Sequence, residues 1–102
     1  MRMLVHKDIV AEGLGNKSEQ YMVKHGKTCK VVDYEAANAL SLASDYVRQY
    51  DEQDAEKIIE RLKEMDKLIA KSEESTVAEV KGFHKGIQEA IVIITAFMAY
   101  EV

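Results

Sequence analysis

A chain of 102 residues, 47% of them hydrophobic and with a formal charge of -4, has room for one domain around a modest core. That acidic balance disfavours a general nucleic-acid binder that works by neutralising phosphates, and a single cysteine excludes an internal disulfide or a thiolate cluster for structural zinc. Charge is unevenly spread: the first 30 residues hold six basic and three acidic side chains, the remainder eight and fifteen, so a basic front part (1–33) joins an acidic helical part (34–102).

The opening MRMLVHKDIV alternates apolar residues at Met1, Met3 and Val5 as a strand does, and leads into the glycine-containing loop EGLGN. Its apolar run is too short for an export signal and lacks a small-residue cleavage pattern, so a cytoplasmic setting is expected. From Gln20 to Asp33, QYMVKHGKTCKVVD sets β-branched and aromatic residues on both sides of Gly26 and Lys27, which predicts a β-hairpin closed by a type II′ turn. In that register Tyr21, Val23, His25, Thr28, Lys30 and Val32 share one face. The competing reading makes Lys17 to His25 a short helix, with Asn16 as N-cap and Gly26 as its end.

Asp33 reads as the N-cap of a first helix over about Tyr34 to Gln49, with Ala36, Leu40, Ala43 and Val47 on one stripe. A second helix begins near Asp51 and carries Ala55, Ile58, Ile59, Leu62, Met65 and Ile69 at spacings of three and four. KSEEST supplies a short turn, so the helices on either side of it are antiparallel neighbours. Thr76 and Glu79 form a capping box for a third helix over about Val77 to Tyr100. Its end, AIVIITAFMAY, is too short to span a membrane and is apolar around the whole cylinder, the pattern of a helix buried on all sides. The expected fold is therefore α+β and mainly α: a small N-terminal β-hairpin followed by three antiparallel helices, the last long and apolar.

The side chains that bear chemistry are few. His6, His25, His84 and Cys29 show no metal-ligand spacing that the proposed elements bring to one site. Glu56, Glu60 and Glu64 stand four apart, as in helical hydrolases that bind magnesium, but Lys57, Arg61, Lys63 and Lys67 alternate with them as on a solvated face. The usual glycine-rich nucleotide loops and the hydrolase elbow are missing from the sequence.

One constellation remains. Tyr21, Lys24, His25, Lys27, Thr28, Lys30 and Tyr34 combine aromatic faces, ammonium groups and a glycine turn, the chemistry that receives an anion. Gly86, Val92, Ile93, Ala96, Phe97 and Tyr100 form the apolar surface that a second copy of the chain is expected to cover. The function expected on these grounds is a non-enzymatic, homo-oligomeric binding protein, regulatory or inhibitory. It holds a small nucleotide or an acidic protein surface and needs no cofactor. The alternatives are a metal-dependent phosphohydrolase using Glu56, Glu60, Glu64 and Glu79, and a small DNA-binding regulator with a helix-turn-helix between Ile9 and His25.

Overall fold

The computed structural model describes residues 3–49 and 54–100, with side chains over 6–49 and 54–97. Four helices carry the fold: α1 (Lys7–Thr28), α2 (Val31–Gln49), α3 (Ala55–Lys71) and α4 (Val77–Ala96). Two three-residue segments near the chain's ends, β1 (Met3–Val5) and β2 (Met98–Tyr100), pair antiparallel with Leu4 opposite Ala99, and the class remains all-α.

Two serine hydroxyls fix the α1–α2 register. Ser18 Oγ donates to the Ala37 carbonyl at 2.7 Å, and Ser44 Oγ donates to the Ala11 carbonyl at 2.8 Å. These buried bonds, spaced two turns apart in opposite senses, hold the two helices antiparallel and satisfy hydroxyls that would otherwise be costly to bury.

The contact between α2 and α4 is closer still, because both surfaces there are small. A Cβ placed on Gly82 would lie 2.5 Å from the Val32 carbonyl oxygen, and one on Gly86 would lie 2.5 Å from that of Ala36 and 2.7 Å from Ala39 Cβ. Gly82 therefore meets Val32 and Glu35 while Gly86 meets Ala36 and Ala39, which makes α2 and α4 parallel. In an up-down-up-down bundle these would be diagonal partners; here glycine and alanine let them collapse onto each other. The consequence is a flattened body, 45 × 28 × 20 Å, in which α1 packs chiefly on α2 and α3 chiefly on α4.

The core runs through all four helices. Val10, Leu14 and Tyr21 come from α1, Leu40 and Val47 from α2, Ile58 and Leu62 from α3, and Phe83, Ile87 and Ile94 from α4. Asp54 caps α3 by accepting from the Glu56 and Lys57 amides, and the Thr76–Glu79 capping box opens α4. A contact of hydrogen-bond length between Asp66 Oδ2 and His84 Nδ1, 2.6 Å apart, ties α3 to α4.

Several expectations are corrected. The segment Gln20–Asp33 is not a β-hairpin: α1 runs unbroken to Thr28, with Asn16 and Gly26 inside it rather than at its ends. The left-handed residue that ends the helix is Cys29 (φ 55°), whose amide donates to the His25 carbonyl. Because α1 is continuous from Lys7, no helix-turn-helix lies between Ile9 and His25. Asp33 is not an N-cap, since α2 starts two residues earlier and places it in the first turn, buried. The apolar C-terminal helix is shorter than expected, ending at Ala96, and it is buried along one stripe only, with Val92 exposed. The start near Asp51 lies outside the described residues. No helix among the described residues is long and apolar enough to cross a membrane.

Candidate functional site

On one side of the flattened bundle, α1 and α4 face each other across a groove. The helical spacing of Lys17, Gln20, Tyr21 and Lys24 puts all four on that side of α1, where they line a hollow of about 180 Å³. Lys85 reaches in from α4. Its ammonium stands 5.3 Å from the centre of the Tyr21 ring, and those of Lys17 and Lys24 each stand at 5.9 Å, so the buried ring is ringed by three cations at cation–π distance.

Two carboxylates lie beneath. Burial pushes the Tyr21 phenol well above its ordinary pKa, and its hydrogen bond to Glu89 and the charges of Glu89 and Asp33 act the same way, so the phenol stays protonated. Glu89 Oε2 is buried with no hydrogen-bond partner. Asp33 accepts from Thr28 Oγ1 at 2.6 Å and pairs with Lys24 Nζ at 3.6 Å. The Thr28 hydrogen bond, and after it the charges of Lys24 and Lys85, hold the Asp33 carboxyl below the usual range against the opposing effect of burial. Three ammonium groups thus face two carboxylates, and one positive charge is left over.

The seven residues expected at an anion site divide into two groups. Tyr21 and Lys24 belong to the groove. His25, Thr28, Lys30 and Tyr34 build the α1–α2 corner: His25 Nδ1 lies 3.0 Å from the Lys30 carbonyl oxygen, Thr28 Oγ1 accepts from the Lys30 amide, and the His25 and Tyr34 rings meet at 5.5 Å. Lys27 is exposed and belongs to neither. Lys17, Gln20, Lys85 and Glu89 were not foreseen. The first two share a helical face with Tyr21 and Lys24 and become visible once α1 is read as a helix; the α4 pair depends on tertiary packing.

Of the surface expected to meet a second copy, Gly86 packs inside the chain, against Ala36 and Ala39 of α2. Ile93 is half-buried against the core, with its Cγ2 3.4 Å from where a Gly13 Cβ would sit. Val92, Ala96 and Phe97 are exposed, and the Tyr100 side chain lies outside the described residues.

Glu56, Glu60 and Glu64 line one concavity of α3 together with Lys63 and Lys67, while Glu79 is engaged in its capping box. Among the described residues no group of three or more His, Cys, Asp or Glu side chains could hold a metal ion. Arg61 and Glu64 on the exposed side of α3 meet at 3.2 Å. Cys29 is exposed at the corner.

Compared with protein-family models, with curated proteins and with solved structures, the chain matches none.

Proposed function

We propose that this is a non-enzymatic binding protein that takes the anionic end of a small phosphate-bearing ligand, such as a nucleotide, in the groove between α1 and α4. The observation that carries the reading is the ring of Lys17, Lys24 and Lys85 around Tyr21. Lys24 is engaged by Asp33, whereas no carboxylate of the described residues stands within ion-pair distance of Lys17, so its charge is available to an incoming anion. Gln20 adds an amide donor at the rim.

The size of the hollow sets the mode. At about 180 Å³ it is below the roughly 300–1,000 Å³ of a site that encloses a drug-sized molecule. A phosphate group fits, with the rest of the ligand lying along the surface. One surplus charge in a half-open site gives modest affinity that weakens with salt, since exposed ion pairs are screened beyond about 10 Å at 0.1 M.

The test is a titration with ADP at low ionic strength, followed by tyrosine fluorescence and amide chemical shifts. Binding is expected to weaken about tenfold or more in Lys17→Gln and in Lys85→Gln. Shifts that map elsewhere, or that persist unchanged in both lysine variants, overturn the reading.

A further inference from the structure

The opposite side of the bundle presents a surface of another kind. From Val31 to Ser44 no exposed residue of α2 is charged: Asp33 is buried, Glu35 is half-buried, and the outward positions are Val31, Tyr34, Asn38, Ser41 and Leu42. In a chain with 31% charged residues this is a marked depletion, and depletion of charge is the compositional mark of an interface centre. Burial raises the Glu35 carboxyl above its ordinary pKa, with the nearby Glu79 adding to this against the hydrogen bond of Asn38.

Hollows flank the α2 ridge on both sides. Ser18, Met22, Tyr34 and Ala37 line one, between α1 and α2; the other, about 230 Å³, lies between α2 and α3 over Phe83 and is lined by Leu42, Met65, Leu68 and Ile69. Asn38 and α2 belong to both, so α1, α2 and α3 form one continuous face. Leu68 is 68% exposed and Leu42 40%, although their helices have ample polar positions elsewhere.

We propose that this face binds a second copy of the chain, with the two α2 helices packed antiparallel across a two-fold axis at Asn38. The spacing of the ridge is self-complementary. Tyr34, Asn38 and Leu42 stand one turn apart, so the axis sets Tyr34 of each copy against Leu42 of the other and brings the two Asn38 amides together, each with one N–H beyond that given to Glu35 and a carbonyl to exchange. The same axis places exposed Asp45 beside the start of the other copy's α2 at Val31, where the helix dipole favours negative charge. A ridge with a groove alongside is the shape that two like helices need to interlock.

The area is sufficient. A molecule with extents of 45 × 28 × 20 Å has room along its two longer dimensions for the roughly 800 Å² per copy of a standard stable interface. This surface is distinct from Val92 and Phe97 at the end of α4, and it shares no lining residue with the anion groove.

Analytical ultracentrifugation of the full chain at tens of micromolar tests the inference, with circular dichroism as the check on folding. The wild type is expected to sediment as a dimer, twice the 11.5 kDa chain. Leu42→Glu should raise the dissociation constant by at least about tenfold, a loss of roughly 1.4 kcal/mol, whereas Val92→Glu leaves it unchanged. In a Cys29→Ser background, Asn38→Cys should form a disulfide-linked dimer on mild oxidation, which reads the axis directly even if Leu42→Glu fails to fold. A monomeric wild type, dissociation by Val92→Glu but not by Leu42→Glu, or no cross-link from Asn38→Cys overturns the proposal. Lys85→Gln serves as the separating variant: it should lose anion binding and keep the dimer.

Discussion

Replacing Gly86 by alanine puts two well-known effects in opposition, and the geometry decides between them. In a helix interior alanine is favoured over glycine by about 1 kcal/mol. Against that, the new Cβ would lie 2.5 Å from the Ala36 carbonyl oxygen and 2.7 Å from Ala39 Cβ, where ordinary contact begins at 3.4 Å, so the helices must part by roughly 0.9 Å. The nearest atom is backbone and has no rotamer through which to escape. Overpacking of a tight core typically costs about 1–3 kcal/mol, and here the parting also loosens the core to which both helices contribute. A net loss of up to about 2 kcal/mol follows, equivalent to a fall in melting temperature of up to roughly 15 °C for a domain of this size. Thermal and urea denaturation followed by circular dichroism measure it. Gly26→Ala is the control, because its Cβ meets nothing within 4 Å and only the propensity gain should appear. If Gly86→Ala raises the melting temperature as Gly26→Ala does, the close α2–α4 contact is not a feature of the protein.

Three further outcomes follow from other parts of the molecule. The Tyr21 pKa is raised on folding, so its contribution to stability is complete below the ordinary tyrosine pKa of about 10 and declines as the pH rises above it; in an absorbance titration of the five tyrosines one should resist ionisation until the protein unfolds, and Tyr21→Phe should remove that lag. Asp33 is shifted the other way, so its contribution is present above the ordinary carboxylate range and is lost as the pH falls through its depressed folded value; melting temperature plotted against pH should fall less steeply in acid for Asp33→Asn, and identical slopes would contradict the assignment. Cys29 occupies a left-handed position that suits glycine, so Cys29→Gly should stabilise by about 0.5–1 kcal/mol while Cys29→Val destabilises, as read from urea midpoints.

The acidic helical part was readable because its signals are strong and local. The apolar spacing of Ala55 to Ile69 and the Thr76–Glu79 capping box both depend on residues within a turn or two of each other. α1 was misread for the opposite reason. Its buried stripe, Val10, Ala11, Leu14, Ser18 and Tyr21, has a serine in the middle, and Gly13, Gly15 and Gly26 dilute the pattern further. Ser18 is buried only because a carbonyl on α2 accepts its proton, a partner 19 residues away that no local window contains. Gly26 looks like a helix terminator, but the left-handed position fell three residues later on a cysteine, which sequence preferences rank poorly there. The anion site was half legible: Tyr21 and Lys24 carry the right chemistry, but a hairpin sets them on opposite faces and only the helix brings them together, whereas Lys85 and Glu89 depend on the packing of α4 near α1. Gly82 and Gly86 were recognised as a close-contact pair, yet their partner proved to be α2 of the same chain.

The two glycines also link the surfaces on which function is proposed. Because α2 and α4 approach closely, α1 and α3 are pushed to opposite flanks, and a groove opens beside each: α1 with α4 on one side, α2 with α3 on the other. The first is closed by Tyr21 under its lysines and is polar; the second is open over Phe83 and apolar. Their widths both depend on one interhelical distance. A parting of α2 and α4 by nearly an ångström moves Lys85 relative to Lys17 and also shifts Phe83 beneath Leu42, so Gly86→Ala should weaken both ADP binding and self-association in whatever fraction remains folded. Variants confined to one groove, Lys85→Gln or Leu42→Glu, should affect only one of the two. If Gly86→Ala folds and leaves both unchanged, the grooves are held by something other than the α2–α4 spacing, and the structural link between them fails.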